Sequence, residues 1–341
     1  MKKIAVVGAG LIGIRHLKAI SMASNATVCA LVDVCPKAEK IANEYNVELY
    51  NDIETMIDKA KPDGVVIATP NALHMIGAKA CISANIPVLV EKPFATNIDE
   101  AKEVLSMAKE NGTKVLTGYF RRYNPIVVSA KQQIETGALG KLISVHSNFW
   151  LHKNDSYYDV KWRTQEGAGP IQINLSHDLD LLLYFMGDVE SVTAISNNIA
   201  RNFEVEDTVV VICKFKNGAL GTLNLSDSIP APWSWELTSG DNPTYPNTQN
   251  TYCMIGGTDA SLEMPRNRLW YYSGEKHWYK PISSTTIMTE QADSLTAQIE
   301  HFSAVIKGDE EPRVTGEDGL RVIEVINAIK ESIASRKEVY L

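Results

Sequence analysis

Residues 2–16 read KKIAVVGAGLIGIRH, and the fold turns on how this stretch is taken. Ile4–Val7 is an unbroken apolar run, as a strand buried on both faces requires. It leads straight into Gly8, Gly10 and Gly13 in G-x-G-x-x-G spacing, and a helical pattern follows. Gly8 permits a tight turn, Gly10 lets the main chain approach a pyrophosphate, and Gly13 lets the helix lie close to the strand. Leu11 and Ile12 open that helix, whose free N–H groups and dipole favour an anion. Asp33 ends the next strand, 20 residues past Gly13, where a carboxylate can hold a ribose hydroxyl. The same charge repels a 2′-phosphate, which favours NAD; Lys37 lies near enough in sequence to blunt that preference, so NADP stays open.

The two lysines and apolar run of the first residues imitate a signal peptide, but three glycines, Arg15 and His16 interrupt the imitation, and no small-residue cleavage pattern follows. No stretch reaches transmembrane length. A cytoplasmic protein is expected. The 341 residues, 45% hydrophobic and 22% charged, suffice for about two domains with real cores. A net charge of −8 argues against nucleic acid or an anionic membrane as partner. Five cysteines at 29, 35, 81, 213 and 253 include no C-x-x-C pair, so neither a zinc site nor a disulfide framework is expected.

Outward from Gly13, strands alternate with helices. KIAVVGA (3–9), TVCALVD (27–33), GVVIATP (64–70), PVLVEKP (87–93) and KVLTGYF (114–120) are apolar runs separated by segments whose apolar residues recur at three and four. This predicts a doubly wound parallel sheet, a Rossmann domain over 1–122. From about 140 the strands lengthen and lose their uniform apolarity. Asn217-Gly218 between two of them predicts a hairpin. Residues 123–341 therefore read as an α+β domain with an antiparallel sheet, a long loop at 229–250, and closing helices near 291–307 and 315–336. The last helix is expected to pack back on the first domain.

Three stretches carry chemistry. ATPNALH places Thr69, Pro70, Asn71 and His74 at a strand's carboxyl end, where ligands of such sheets lie; capping and surface exposure explain Asn71 and His74 equally well. VLVEKPF fixes Glu91 and Lys92 at the end of another strand, with Pro93 barring a helix. Lys92 is then either a salt-bridged strand end or a group for substrate chemistry. GAGPIQINLSHDLDLLLYF (167–185) holds His177, and at helical spacing Ile173, Asn174, Asp180 and Leu181 share its face. Alone it reads as a core histidine or as a proton carrier. Further on the first domain, Tyr119 and Arg122 of GYFRRYNP could bind hydroxyls or a carboxylate, or serve packing.

Taken in order, the glycine motif, ATPNALH, EKP, GYFRRYNP, HDLD, VEDT…FKNGALGT and the closing IEHFSAVIKGDEEPRVTGEDGL resemble the Gfo/Idh/MocA oxidoreductases over nearly the whole chain. The resemblance implies a Rossmann domain followed by a large, open, predominantly antiparallel sheet whose exposed face forms homodimers or homotetramers. It implies NAD(P)-dependent oxidation or reduction at one carbon of a sugar, cyclitol or related polyol. By position it makes Lys92 and His177 catalytic, puts Glu91, Thr69, Asn71 and His74 on cofactor-lining positions, and sets Trp162 and Arg163 near cofactor and substrate. In this reading His177 takes the hydroxyl proton and Lys92 donates a hydrogen bond to the same oxygen. One departure stands out. Many members carry an aspartate four residues before the histidine; here that residue is Ile173, with Gln172 and Asn174 beside it. Asn174 can hydrogen-bond a substrate hydroxyl but carries no charge, and Asp180 could orient the imidazole or be a surface charge. Two alternatives remain: glycoside cleavage with a resident redox cofactor, and a non-catalytic NAD-binding regulator.

Overall fold

The apolar runs of the first domain become a parallel sheet in the computed structural model, which describes residues 1–165 and 167–341. β1 (Lys2–Val7), β2 (Ala26–Val32), β3 (Glu48–Tyr50), β4 (Gly64–Ile67), β5 (Val88–Val90) and β6 (Val115–Thr117) lie in the order β3-β2-β1-β4-β5-β6, every pair parallel. Sequence direction reverses between β1 and β4, the crevice where doubly wound sheets bind ligands. The crossovers are α1 (Leu11–Met22), α2 (Ala38–Glu44), α3 (Ile53–Ala60), α4 (His74–Ser83) and α5 (Ile98–Asn111). Their ends follow local chemistry. Asp52 and Asn97 cap α3 and α5 by accepting from the Thr55 and Glu100 amides at 2.7 and 2.9 Å. Gly112 stops α5 with φ +67°. The sequence reading found five of these six strands. It missed β3, whose three residues bury only Tyr50 and so show neither a run nor an alternation.

The second sheet is larger. α6 (Pro125–Glu135) leads to β7 (Leu142–Trp150), and then come α7 (Gly169–Ile173), α8 (Leu175–Met186), β8 (Val189–Asn197), β9 (Thr208–Phe215) and β10 (Leu220–Ser226). The short α9 (Trp235–Thr238) interrupts the expected 229–250 loop. β11 (Cys253–Gly257), β12 (Ala260–Met264), β13 (Arg268–Tyr271), β14 (Ser283–Thr286) and β15 (Val339–Tyr340) complete nine strands, in the order β14-β13-β12-β11-β7-β10-β9-β8-β15. All pairs are antiparallel except β7 with β10. Asn217-Gly218 makes the predicted β9–β10 turn, with Gly218 at φ +87°. Along β7, β9 and β10 the residues alternate: Val145, Phe149, Val211 and Leu223 are buried, while His146, Asn148, Ile212 and Thr222 are not.

The chain closes with α10 (Ser294–Lys307) and α11 (Gly316–Ser335). It divides into two units, residues 1–124 with 292–323, and residues 125–291 with 324–341. A cut after residue 122 leaves out the return of the chain into the first unit. That return has a packing cause. Leu295, Ile299, Phe302 and Val305 form one stripe of α10, buried with Ile4, Leu17, Ile20 and Leu89. Gly64 makes room for it, since a Cβ there would lie 2.4 Å from the tip of Ile306. The start of α11 belongs to the same unit and buries Ile323 in the cluster of Phe94, Val90 and Val115.

Candidate active site

In the first unit, the three glycines do what their spacing requires. Gly8 has φ +104°, and a Cβ on it would sit 2.5 Å from the Ala68 carbonyl oxygen. A Cβ on Gly13 would sit 1.9 Å from the Gly8 carbonyl oxygen, so helix and turn touch backbone to backbone. Around Gly10 there is open space. Gly10 caps α1 without a side-chain bond, and the first turn carries no acidic residue. Leu11 is exposed and Ile12 half-buried there. An exposed helix start with no anion of its own fits a pyrophosphate. The cleft beside it measures about 620 Å³ and is lined by Gly8, Gly10, Asp33, Thr69 and Pro70 among others. Asp33 follows β2 and accepts from the Ala9 and Cys35 amides at 2.6 and 2.7 Å, which fixes its carboxylate in the cleft. These residues fit an NAD pyrophosphate and ribose.

Asn71 is exposed at the start of a short 3-10 turn, where Thr69 and Pro70 line the same cleft. His74 is buried, its ring nitrogens 2.8 and 2.9 Å from the Pro93 and Thr69 carbonyl oxygens. It thereby ties the end of β4 to the turn after β5. At that turn Glu91 is buried and Lys92 half-buried, and the Lys92–Pro93 peptide is cis. Glu91 accepts from His16 of α1 at 2.7 Å and from the Lys92 amide at 3.1 Å. Burial pushes the Glu91 carboxyl up, but His16 and the Lys92 charge together bring it below its ordinary range. Tyr119 is fully buried. Arg122 is also interior, 3.3 Å from Asp318 and bonded to the Arg313 carbonyl.

The second unit carries a polar cluster beside α7 and the start of α8. The start of α7 depends on glycine, for Gly169 has φ +82° and a Cβ would strike the Glu206 carboxylate at 2.5 Å. That carboxylate accepts from the Ile171 amide at 2.9 Å, and burial pushes its carboxyl up. Asn174 stands at the break between α7 and α8, and the His177 amide bonds its carbonyl. α8 is buried almost throughout: His177 is 9% exposed, Asp178 3% and Asp180 1%. Asp180 is therefore an interior carboxylate, which removes its reading as a surface charge.

Ile173 lines a small cavity with Lys153, Tyr157, Tyr158, Arg163 and Asp227. Lys153 Nζ donates to Asn174 Oδ1 at 2.8 Å and lies 3.4 Å from Asp227 Oδ2, which also accepts from Tyr158 at 2.6 Å. Burial, the largest influence, holds the Lys153 amine below its ordinary range against the pull of Asp227. Arg201 bonds the Lys153 carbonyl at 2.6 Å and stacks 4.4 Å over Tyr158. Arg163 stacks 4.1 Å over Tyr157 and donates to its carbonyl at 2.7 Å, while Trp162 is exposed. Sequence reading missed Lys153, Tyr158, Arg201 and Asp227. The one available signal was polarity just past a strand, in LHKND after β7 and SDS after β10.

Among the described residues no His, Cys, Asp and Glu group could hold a metal ion, and no helix is long and apolar enough to cross a membrane. Residues 2–119 match the family described as oxidoreductase family, NAD-binding Rossmann fold, and residues 131–341 its C-terminal alpha/beta domain. Myo-inositol 2-dehydrogenase of Thermotoga maritima is 25% identical over 99% of this chain and 98% of its own. The 2,7-anhydro-N-acetylneuraminate hydratase of Escherichia coli is 26% identical over 69% of this chain and 64% of its own. An oxidoreductase from Agrobacterium radiobacter, crystallised with NAD+, L-tartaric acid and magnesium, superposes with a TM-score of 0.84 at 19% identity, covering 99% of this chain and 98% of that one.

Proposed function

Because the chain belongs to the Gfo/Idh/MocA family of NAD-binding oxidoreductases, we propose that it oxidises or reduces one carbinol or carbonyl carbon of a sugar, cyclitol or related polyol. The observation that carries this reading is Lys92, held at the carboxyl end of β5 by the buried Glu91, in the same unit as the glycine cradle. When bound, NAD would supply the hydride acceptor or donor. The α1 amides would hold its pyrophosphate, and Asp33 would take a ribose hydroxyl and disfavour a 2′-phosphate. Lys92 donates a hydrogen bond to the reacting oxygen, which steadies alkoxide character. His177 takes or returns the hydroxyl proton, with Asp180 as the interior carboxylate that orients it. Asn174, held by Lys153, and Arg163 with Trp162 bind the remaining hydroxyls. General base catalysis by a placed histidine is worth about 10²–10⁴-fold. Lys92→Ala and His177→Ala should each lose turnover on that order while NAD still binds by fluorescence titration. The substrate comes from a panel of sugars, inositols and sugar acids with NAD⁺ and NADP⁺. Full turnover in both variants would sink the assignment.

A second reading, beside the similarity to a protein named as a hydratase, is glycoside cleavage with a resident redox cofactor: the substrate would be oxidised, undergo elimination and be reduced again. Absorbance at the NADH band separates the two, since only net dehydrogenation builds it up. For assembly, the open face of the second sheet is the natural contact. Ile195, Ile212, Leu220 and Met254 stand exposed on strands whose alternate residues form the core. A homodimer or homotetramer through this face would cover them.

A further inference from the structure

Three elements converge on the Glu91 carboxylate, and none of them is explained by the cofactor cradle alone. From α1, His16 reaches it at 2.7 Å with no exposed surface of its own. From its own turn, the Lys92 amide reaches the second oxygen at 3.1 Å. From the end of β6, Gly118 packs so closely that a Cβ would lie 3.0 Å from Glu91 Cα, Cδ and Oε1. A carboxylate buried this deeply is costly unless its bonds are made. The chain makes them at the residue before Lys92.

We propose that His16 is a positioning residue for Lys92: its bond to Glu91 keeps a carboxylate fixed against the main chain of the lysine, in space that Gly118 leaves free. The proposal rests on the reading of Lys92 as the donor to the reacting oxygen. A fixed negative neighbour favours the ammonium form, which is the form that donates. The groups acting on Glu91 are His16 and Lys92. β6 brings Gly118 and no charge. His74 of α4 faces the Pro93 and Thr69 carbonyls, and Arg122 past β6 is paired with Asp318. Without the His16 donor, burial pushes the Glu91 carboxyl up and its carboxylate is no longer held against the main chain of Lys92. Lys92 then loses its negative neighbour and gives up its own proton at lower pH.

The test needs no substrate. Lysines of the full chain are acetylated with limiting acetic anhydride from neutral to strongly alkaline pH, and the Lys92 peptide is quantified by mass spectrometry. In His16→Leu the midpoint of Lys92 labelling should fall by about one pH unit. Glu91→Gln, which keeps shape and loses charge, should give the same fall, so the outcome survives if His16→Leu folds poorly. His16→Gln keeps an N–H donor and should restore the original midpoint. An unmoved midpoint in Glu91→Gln, or a midpoint in His16→Gln as low as in His16→Leu, overturns the proposal. Turnover of Lys92→Ala judges the underlying reading separately, because labelling reports the charge on Lys92 whatever its role.

Discussion

Gly13 tolerates no side chain, because a Cβ there would sit 1.9 Å from a backbone oxygen that belongs to the turn it packs on. Gly13→Ala should cost about 1–3 kcal/mol in overpacking and loosen the start of α1. Thermal unfolding should record the first effect and a weaker NAD titration the second; unchanged values in both would contradict the contact. This glycine, with Gly8, was legible in the sequence because its constraint is local: a turn, a strand and a helix within a dozen residues. Lys153 was not. Its neighbours Asn174 and Asp227 are 21 and 74 residues away, and a lysine after a strand is an ordinary surface residue until its partners are known. The absence of an aspartate at 173 was plain from the sequence. That the nearby cavity instead receives Asp227 from another strand became visible only in the fold.

At the scale of elements, α10 shows how a helix far along the chain serves the first sheet. Its His301 accepts from the Arg313 amide through Nε2 at 3.0 Å and meets Glu310 through Nδ1 at 2.8 Å, which defines a neutral ring. Burial is the main cause that holds this ring below the usual histidine range, with Arg313 acting the same way and Glu310 opposing. The folded value lies below the unfolded one, so the unfolded chain takes up the proton first as pH falls. The stabilising contribution is complete above the ordinary value of about 6.5 and is lost as pH falls through the folded value. Wild type should therefore be more stable than His301→Gln above neutrality, and its advantage should shrink on acidification. Paired denaturant titrations across that range check it, and a constant difference would count against the assignment. Periodicity read from sequence predicted this helix. It could not reveal which sheet the helix covers, because an amphipathic stripe specifies that it needs an apolar partner and not which one.

At the scale of the molecule, the nine-stranded sheet leaves one face uncovered by its own helices, and that face is where assembly should be sought. Ile212→Glu places a charge in its middle without touching the core, since Ile212 is 53% exposed. If the face joins copies of this chain, size-exclusion with light scattering should show a smaller species for the variant at equal concentration, with thermal stability of the subunit little changed. An identical mass would exclude this face. The sequence by itself determined what depends on neighbours along the chain: the glycine cradle, the parallel βα alternation, the β9–β10 turn, and the family to which Lys92 and His177 point. Only the tertiary structure decided what depends on pairings between distant segments. The parallel register of β7 with β10 brings Lys153 to Asp227, and the approach of α1 to the end of β5 brings His16 to Glu91, 75 residues away. The division has a physical cause. Turn geometry and helix capping are settled by interactions within a few residues, whereas the neighbour of a strand is chosen by burying whole apolar faces, a free energy that no short window of sequence contains.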